Sequence, residues 1–245
     1  MGINSCNKWY YQFNIDPVMS KLHADSIMKS YGTKQVLTDI YISCNTGEIV
    51  GLLGRNGSGK STLLKIIFGS LNADTKFVKV GSKIVDGLFD NRNLIHYLPQ
   101  DGFLPNHIKI KTIINLFCNK DNAAIIAENP LVKPLINKKS NQLSGGEKRL
   151  LEIFLIIYSR AKYVLIDEPF NGIAPVYKDE IKSLIKEQSK NKGFIITDHD
   201  YRNILDVASR ILVLHDGAIH EIHNKEELIY WGYIPPIVPK INSKL

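Results

Sequence analysis

The sequence has few cysteines and no long apolar segment. Its three cysteines, Cys6, Cys44 and Cys118, are widely spaced and form no C-x-x-C pair. This pattern argues against a disulfide framework or a zinc cluster and favours a reducing compartment. No apolar run approaches the ~18 residues that a membrane-spanning helix needs, so any membrane spans must come from another chain. The first residues have neither an apolar h-region nor a small-residue cleavage site, so we expect no secretory signal.

Internal repeats and low-complexity tracts are also missing. Hydrophobic residues make up 44% of the 245 residues and charged residues 22%, which is ordinary globular usage and excludes a disordered or fibrous protein. The 31 lysines and arginines against 24 acidic residues give a net charge of +7. This excess is compatible with a nucleotide, a nucleic acid or an acidic membrane surface as partner, and it selects none of them.

Apolar patterning predicts strands and helices in alternation. Compact strands are expected at 48–54, 96–98, 163–166 and 194–197, helices at 60–68, 144–162, 176–191 and 200–209, strand pairs within 22–43, 76–86 and 211–223, and helical pieces within 107–137. Alternation over this length predicts an α/β fold with a mostly parallel sheet covered by helices.

A glycine-rich segment lies between the strand at 48–54 and the helix at 60–68. Residues 54–61 fit G-x-x-x-x-G-K-[ST] in the required strand–helix context. Glycines are needed because only a chain without Cβ atoms can wrap its N–H groups around phosphates. We expect Lys60 to bridge the β- and γ-phosphates and the Ser61 hydroxyl to bind Mg²⁺. The alternative is a glycine-rich turn that only caps a helix.

Two carboxylates, Asp167 and Glu168, follow the apolar strand at 163–166. Ligands of open parallel sheets bind beyond the carboxyl ends of the strands, so Asp167 should lie beside the phosphate loop. The carboxylate of Asp167 suits Mg²⁺, which prefers oxygen ligands, and we expect it to contact the ion through a water molecule. Glu168 is then placed to polarise the water that attacks the γ-phosphate. A strand that ends in acidic residues is weak evidence for a catalytic metal site when it stands alone. It becomes strong evidence when a phosphate loop precedes it in the same chain.

Residues 143–147 read LSGGE and precede an amphipathic helix. One interpretation is a capping box, with Ser144 as N-cap and Glu147 three residues later. That role does not require Gly145 and Gly146. A helix start with bare N–H groups and a hydroxyl is a second phosphate site. Since one chain already has a complete phosphate loop, we expect this second site to serve the nucleotide of a neighbouring chain.

These segments, in this order, resemble the nucleotide-binding subunits of ATP-binding cassette (ABC) transporters over roughly residues 20–230. Walker A is GRNGSGKST (54–62), the signature is LSGGE (143–147) and Walker B is YVLIDEP (163–169). Gln100 in YLPQ matches the Q-loop, His199 in TDHD the switch histidine, and Tyr31 the aromatic residue that stacks on adenine. The FNGI and TDHD segments are similar to those of lipopolysaccharide-export and branched-chain amino-acid-uptake ATPases.

The resemblance implies a P-loop NTPase fold with a RecA-like core, an antiparallel β-subdomain and an inserted helical subdomain at about 102–160. The implied division is an appendage at 1–18, an ABC ATPase domain at 19–232 and a tail at 233–245. The implied catalytic residues are Glu168 as base, His199 at the γ-phosphate and Gln100 at Mg²⁺ and the attacking water. The implied metal ligands are Ser61, Gln100 and Asp167. The implied nucleotide-binding residues are Tyr31, Gly54, Arg55, Asn56, Gly57, Ser58, Gly59, Lys60, Ser61, Thr62, Ser144, Gly145 and Gly146.

The resemblance also implies the cofactors ATP and Mg²⁺ and two partners. These are a second ABC subunit, in a head-to-tail homodimer, and a separate transmembrane permease subunit; no nucleic acid is expected. The implied location is cytoplasmic, peripheral on the inner face of the cell membrane. We expect the apolar residues after Gln100 to dock a helix of the membrane subunit; these are Phe103, Leu104, Ile108, Ile110, Ile113 and Ile114.

The sequence departs from the family pattern in two places. Ala174 stands where the family usually has an aspartate that links the two ATP sites, and Gln100 lies only 44 residues before Ser144, which makes the helical subdomain short. Two alternatives remain open. One is a soluble ABC ATPase that acts on nucleic acid or ribosomes, which suits the net charge but not the dispersed lysines or the single cassette. The other is a degenerate subunit, against which Glu168 and His199 argue.

Two site residues have plainer interpretations. Tyr31 can be a packing aromatic rather than an adenine platform, and His199 can be an ordinary strand-end histidine. The remaining histidines belong to no ligand constellation in the sequence, so we expect them to be surface or packing residues.

Overall fold

The computed structural model describes residues 21–91 and 93–234, which form two sheets surrounded by helices. The strands are β1 Lys21–Tyr31, β2 Lys34–Asn45, β3 Ile49–Leu53, β4 Thr75–Val80, β5 Lys83–Ile84, β6 Ile95–Leu98, β7 Tyr163–Asp167, β8 Gly193–Thr197, β9 Arg210–His215 and β10 Ala218–Ile222. The helices are α1 Lys60–Phe68, α2 Ile110–Phe117, α3 Lys120–Glu128, α4 Gly145–Ile157, α5 Pro175–Ser189, α6 Tyr201–Val207 and α7 Lys225–Tyr230, with 3₁₀ turns at Lys133–Leu135 and Ser140–Gln142.

The larger sheet has six strands in the order β10-β9-β3-β8-β7-β6. All its neighbours are parallel except β10, which forms an antiparallel hairpin with β9. The smaller sheet, β2-β1-β4-β5, is antiparallel throughout. The structure therefore confirms the predicted α/β fold with a mostly parallel sheet and an antiparallel subdomain.

Each face of the larger sheet packs on its own hydrophobic core. In β3, Ile49 and Leu53 face the cluster formed with α4, α5 and the helices of 110–135. Val50 and Leu52, which alternate with them, face the cluster formed with α1 and the smaller sheet. This burial on both faces explains why the parallel strands are continuous apolar runs rather than alternating ones.

The local predictions agree with the structure except at the end of one helix. The helix at Lys60–Phe68 and the hairpins at 76–86 and 211–223 are confirmed. The helix predicted for 144–162 is too long, because α4 ends at Ile157. The buried ammonium of Lys192 donates to the carbonyl oxygens of Ile157 and Ser159, which caps the helix before the chain enters β7.

Three of the residues that we expected to dock a membrane subunit belong to the core instead. Ile110, Ile113 and Ile114 are 0–1% exposed, because α2 turns this apolar face toward α4. The prediction is therefore wrong for these three side chains. Phe103, Leu104 and Ile108 are only partly buried.

The cysteines and the lengths of the helices can be compared with the expectations of a reducing compartment and of no membrane span. Cys44 and Cys118 are buried free thiols, whereas Cys6 and the predicted appendage at 1–18 lie outside the described residues. No helix of 21–91 and 93–234 combines the length and apolar character needed to cross a membrane. The predicted domain boundaries stay predictions.

Candidate functional site

Four groups of predicted site residues follow four adjacent strands of the larger sheet. The phosphate loop follows β3, His199 follows β8, Glu168 follows β7 and Gln100 follows β6. These strands are parallel and hydrogen-bonded in the order β3-β8-β7-β6, so their carboxyl ends share one edge. Segments far apart in the chain are brought together there, as expected for the ligand edge of an open α/β sheet.

The phosphate loop depends on glycines at its tightest points. Gly57 and Gly59 have φ values of +79° and +107°, a region that other residues rarely adopt. A Cβ atom on Gly59 would lie 2.8 Å from Cγ1 of Val36. Gly59 is also the N-cap of α1 and supplies no side-chain cap, so the first N–H groups of the helix remain directed at the site. This arrangement is an anion-binding helix start.

Lys60 is the buried cation of the loop, with 6% of its surface exposed. Its ammonium donates to the carbonyl oxygens of Gly54, at 2.7 Å, and Arg55, at 3.2 Å. Burial lowers its pKa, and the nearby carboxylates of Glu168, Asp167 and Asp198 oppose that shift. The lysine is therefore held against its own loop, beside the place where the helix start favours an anion.

A cavity of about 590 Å³ opens over the loop. It is lined by Tyr31, Val36, Asn56, Gly57, Ser58, Gly59, Lys60, Ser61, Thr62, Gln100, Glu168, Asn171 and His199. The predicted adenine residue, residues 56–62 of the phosphate loop and the catalytic candidates thus border one space, whereas Gly54 and Arg55 are not among its lining residues. Val36 and Asn171 line the cavity but were not predicted from the sequence. For Asn171 the sequence did hold a clue, because it lies three residues after Glu168; for Val36 it held none. Tyr31 is 51% exposed, so its ring is accessible at the cavity, and the ammonium of Lys29 lies 5.2 Å from the ring centroid.

Glu168 is the point on which the other catalytic candidates converge. The Gln100 amide donates to its Oε2 at 3.2 Å, and Nδ1 of His199 lies 3.9 Å from the same oxygen. The backbone of Glu168 has a φ of +50°, and its N–H donates to the carbonyl and hydroxyl oxygens of Thr197. A non-glycine residue in this conformation is strained and must be held by its surroundings. Here the holding groups come from β8.

Asp167 does not line the cavity and is 1% exposed. Its Oδ1 accepts from the Thr197 hydroxyl at 2.6 Å, and its Oδ2 accepts from the Tyr97 hydroxyl at 3.1 Å. Burial, together with Asp167, raises the pKa of Tyr97, which keeps that hydroxyl a donor. The carboxylate is thus oriented by two hydroxyls and does not reach the cavity directly.

Arg149 connects these segments and was not predicted from the sequence. Its Nη1 donates to the Pro99 carbonyl at 2.7 Å, and its Nη2 donates to the carbonyls of Asp167, at 2.8 Å, and Glu168, at 3.0 Å. The guanidinium also lies 3.6 Å from Oε2 of Glu152, one turn later in α4. The only sequence signal was a charged pair on an otherwise apolar helix face. Arg149 therefore joins the signature helix to the Q-loop and to Walker B.

The signature residues lie outside the cavity. Ser144 accepts from the N–H of Glu147 at 3.2 Å, and Glu147 accepts from the N–H of Ser144 at 2.7 Å, which confirms the capping box. These hydrogen bonds to Ser144 lower the pKa of Glu147. Ser144, Gly145 and Gly146 are exposed and contribute nothing to the cavity of their own chain.

Ala174 is the N-cap of α5 and provides no side-chain hydrogen bond. Pro175 occupies the first helical position, where its missing N–H costs nothing. The helix therefore begins without the cap that an aspartate would supply.

Comparison with known proteins gives concordant results. A family model described as ABC transporter matches residues 37–171. The lipopolysaccharide export system ATP-binding protein LptB of Haemophilus influenzae is 30% identical over 230 residues, covering 86% of this chain and 93% of that protein. LptB of Escherichia coli (strain K12) is 30% identical over 215 residues, covering 82% and 89%.

Solved structures show the same fold. The structure of an ATP-binding subunit of an ABC transporter has a TM-score of 0.76 at 21% identity and covers 86% of this chain and 93% of that one. An ATP-binding cassette of another ABC transporter has a TM-score of 0.71 at 25% identity and covers 86% and 94%. The family match, the fold and the cavity lined by the predicted site residues lead to one conclusion: the chain belongs to the ABC transporter family, as an ATP-binding subunit that hydrolyses ATP.

Proposed function

We propose that two copies of the chain bind two ATP molecules between them and transmit the energy of hydrolysis to a separate membrane subunit. The observation that carries this proposal is the convergence of Gln100 and His199 on one oxygen of Glu168, beside Lys60 in the same cavity. In this arrangement Glu168 accepts a proton from the attacking water, His199 orients the carboxylate and the γ-phosphate, and Lys60 neutralises phosphate charge.

We infer that the adenine stacks on Tyr31 and that the phosphates bind to the loop at 54–62. The oxygen donors of Ser61, Gln100 and Asp167 fit Mg²⁺, which prefers oxygen ligands and retains water. Ser61 and Gln100 line the cavity, whereas the oriented carboxylate of Asp167 would reach the ion through water. The bound ion would supply charge neutralisation at the phosphates.

The position of the signature residues supports a head-to-tail dimer. The helix start at Ser144, Gly145 and Gly146 is exposed and does not border the cavity of its own chain. A second copy would bring these N–H groups to the γ-phosphate. Closure on ATP and opening after hydrolysis would then move the attached membrane subunits.

An apolar groove is the proposed docking site for the membrane subunit, at the inner face of the membrane. Its volume is about 400 Å³, and it is lined by Phe68, Ser70, His96, Tyr97, Pro99, Phe103, Phe117 and Ile156. Pro99 precedes the catalytic Gln100, so a helix seated in this groove would press on the segment that carries a catalytic side chain. The proposed docking surface therefore differs from the one predicted from the sequence. It keeps Phe103 and no longer includes the three buried isoleucines.

The test is the Glu168→Gln variant, which keeps the shape of the side chain and removes the base. We expect it to bind ATP, lose hydrolysis and form a dimer in ATP that gel filtration detects. Ser144→Arg in the same background should abolish the dimer without preventing ATP binding to the monomer. Full-rate hydrolysis by a strictly monomeric chain would refute the proposal.

A further inference from the structure

A tight turn beside α1 presents two adjacent apolar side chains to solvent. Leu88 is 51% exposed and Phe89 is 83% exposed, the largest fraction among the exposed large apolar side chains of the described residues. The N–H of Asp90 donates to the Gly87 carbonyl at 3.2 Å, and the N–H of Gly87 donates to Oδ2 of Asp90 at 3.3 Å. These two hydrogen bonds close the turn 87–90, with Leu88 and Phe89 at its tip.

The base of this turn is anchored in the protein interior. Asn91 is 3% exposed; its amide donates to the Phe68 carbonyl at 2.8 Å, and its Oδ1 accepts from the N–H of Ile95 at 2.8 Å. The turn also rests directly on the end of α1, since a Cβ atom on Gly69 would lie 2.9 Å from the Gly87 carbonyl carbon. The apolar tip is therefore held in a fixed position, which lowers the entropy lost when it binds a partner.

The turn adjoins the apolar groove. Phe68 and Ser70, at the end of α1, line that groove, and Phe68 and Gly69 also support the turn. Single exposed apolar side chains are common on protein surfaces. Two adjacent ones on an anchored turn, next to an apolar groove, are typical of an interaction site.

The charges around the tip are of both signs. Asp86, which is exposed, and Asp90, which is partly buried, flank the two apolar residues. The ammonium of Lys76 donates to the backbone oxygen of Asp86. Because charges of both signs lie beside the tip, they form no basic patch for anionic lipid headgroups, and the apolar tip itself suits an apolar pocket of a protein partner.

We propose that the turn 87–90 is a second docking point for the membrane subunit, outside the groove, and that Leu88 and Phe89 enter an apolar pocket on that subunit. This proposal rests on the proposed function, because it requires a membrane subunit at the groove. It adds a rigid contact that fixes the orientation of that subunit on the chain.

The test uses the full chain in its native cells, with the photo-crosslinking residue p-benzoylphenylalanine in place of Phe89 or, separately, of Phe103 in the groove. Mass spectrometry identifies each crosslinked product. We expect both positions to crosslink the same integral membrane polypeptide. A polypeptide at position 103 with none at position 89 would overturn the turn proposal and leave the proposed function intact. Absence of a membrane polypeptide at both positions would contradict the proposed function as well.

A second measurement separates lipid from protein contact. Phe89→Ser should reduce the position-103 crosslink at least about tenfold, as expected for loss of an aromatic anchor. Tyr230→Ser, which removes another aromatic ring with 81% exposure, should leave it unchanged. Hydrolysis by the purified chain should stay the same in both variants. If instead Phe89→Ser abolishes flotation with phosphatidylglycerol vesicles and spares the crosslink, the turn contacts lipid and the proposal is wrong.

Discussion

We predict that Arg149 supports both the stability and the catalytic geometry of the chain, and the two effects can be measured separately. Arg149→Met removes the donors of three carbonyl oxygens and leaves Glu152, whose side chain is 3% exposed, without its cation. Breaking a buried ion pair by removing one partner costs about 3–5 kcal/mol. We expect the free energy of unfolding to fall by that amount, as measured by urea unfolding followed by circular dichroism. A loss below about 1 kcal/mol, the level of a surface pair, would refute this reasoning.

Arg149→Lys tests the positioning role, because it keeps the charge and removes the planar fork. One ammonium cannot replace the two nitrogens that reach Pro99 on one side and Asp167 and Glu168 on the other. We expect a folded protein in which kcat falls by up to about 10²-fold, since small displacements of catalytic groups have such effects. The KM for ATP should be unchanged, because Arg149 does not line the cavity. An unchanged kcat would contradict the positioning role.

Two further comparisons control this experiment. Arg202 pairs with Asp200 at 2.9 Å, but its side chain is 74% exposed and solvent screens the pair, so Arg202→Met should leave the free energy of unfolding essentially unchanged. In a double-mutant cycle, Arg149→Met and Glu152→Met should together cost less than the sum of the two single changes, with a coupling of about 0.5–3 kcal/mol. Strict additivity would mean that the two side chains do not interact.

Three other predictions concern the loop, a helix start and a buried histidine. Lys60→Met should abolish ATP binding in equilibrium titration while the chain stays folded, and retained affinity would contradict the cation's role. Ala174→Asp should raise the free energy of unfolding by about 1 kcal/mol, because it supplies the N-cap that α5 lacks, and no gain would contradict the capping argument. Burial, and to a lesser degree the charge of Lys192, lowers the pKa of His96 to about 4. The unfolded chain therefore binds more protons between about pH 6.5 and pH 4, so stability should fall as pH decreases through this range. The His96→Leu variant should lose less stability than the parent chain between pH 7 and pH 5 in urea titrations. An equal loss in both proteins would show that His96 is not the source of the pH dependence.

Local sequence was enough to predict the phosphate loop, the helix that follows it and the capping box at Ser144. These features depend on residues within a few positions of one another: the glycine spacing before Lys60, and the serine and glutamate one turn apart. The apolar runs also predicted the strands of the larger sheet, because strands buried on both faces carry no polar alternation. The resemblance to the ABC family then supplied Gln100, His199 and Tyr31, which spacing alone would not have selected.

Only the tertiary structure decided which groups meet. The convergence of Gln100 and His199 on Glu168 requires the strand order β3-β8-β7-β6, and no local pattern encodes which strands are neighbours. The end of α4 at Ile157 likewise depends on Lys192, a cation that arrives from 35 residues further along the chain. An apolar helix face of isoleucines is the same sequence pattern whether the helix packs on a partner or on its own core. In α2 this face packs against α4, so the isoleucines belong to the core. Sequence determined the local geometry because steric and hydrogen-bond preferences act between near neighbours. Contacts between distant residues were settled by packing, since burial of one segment depends on the shape of all the others.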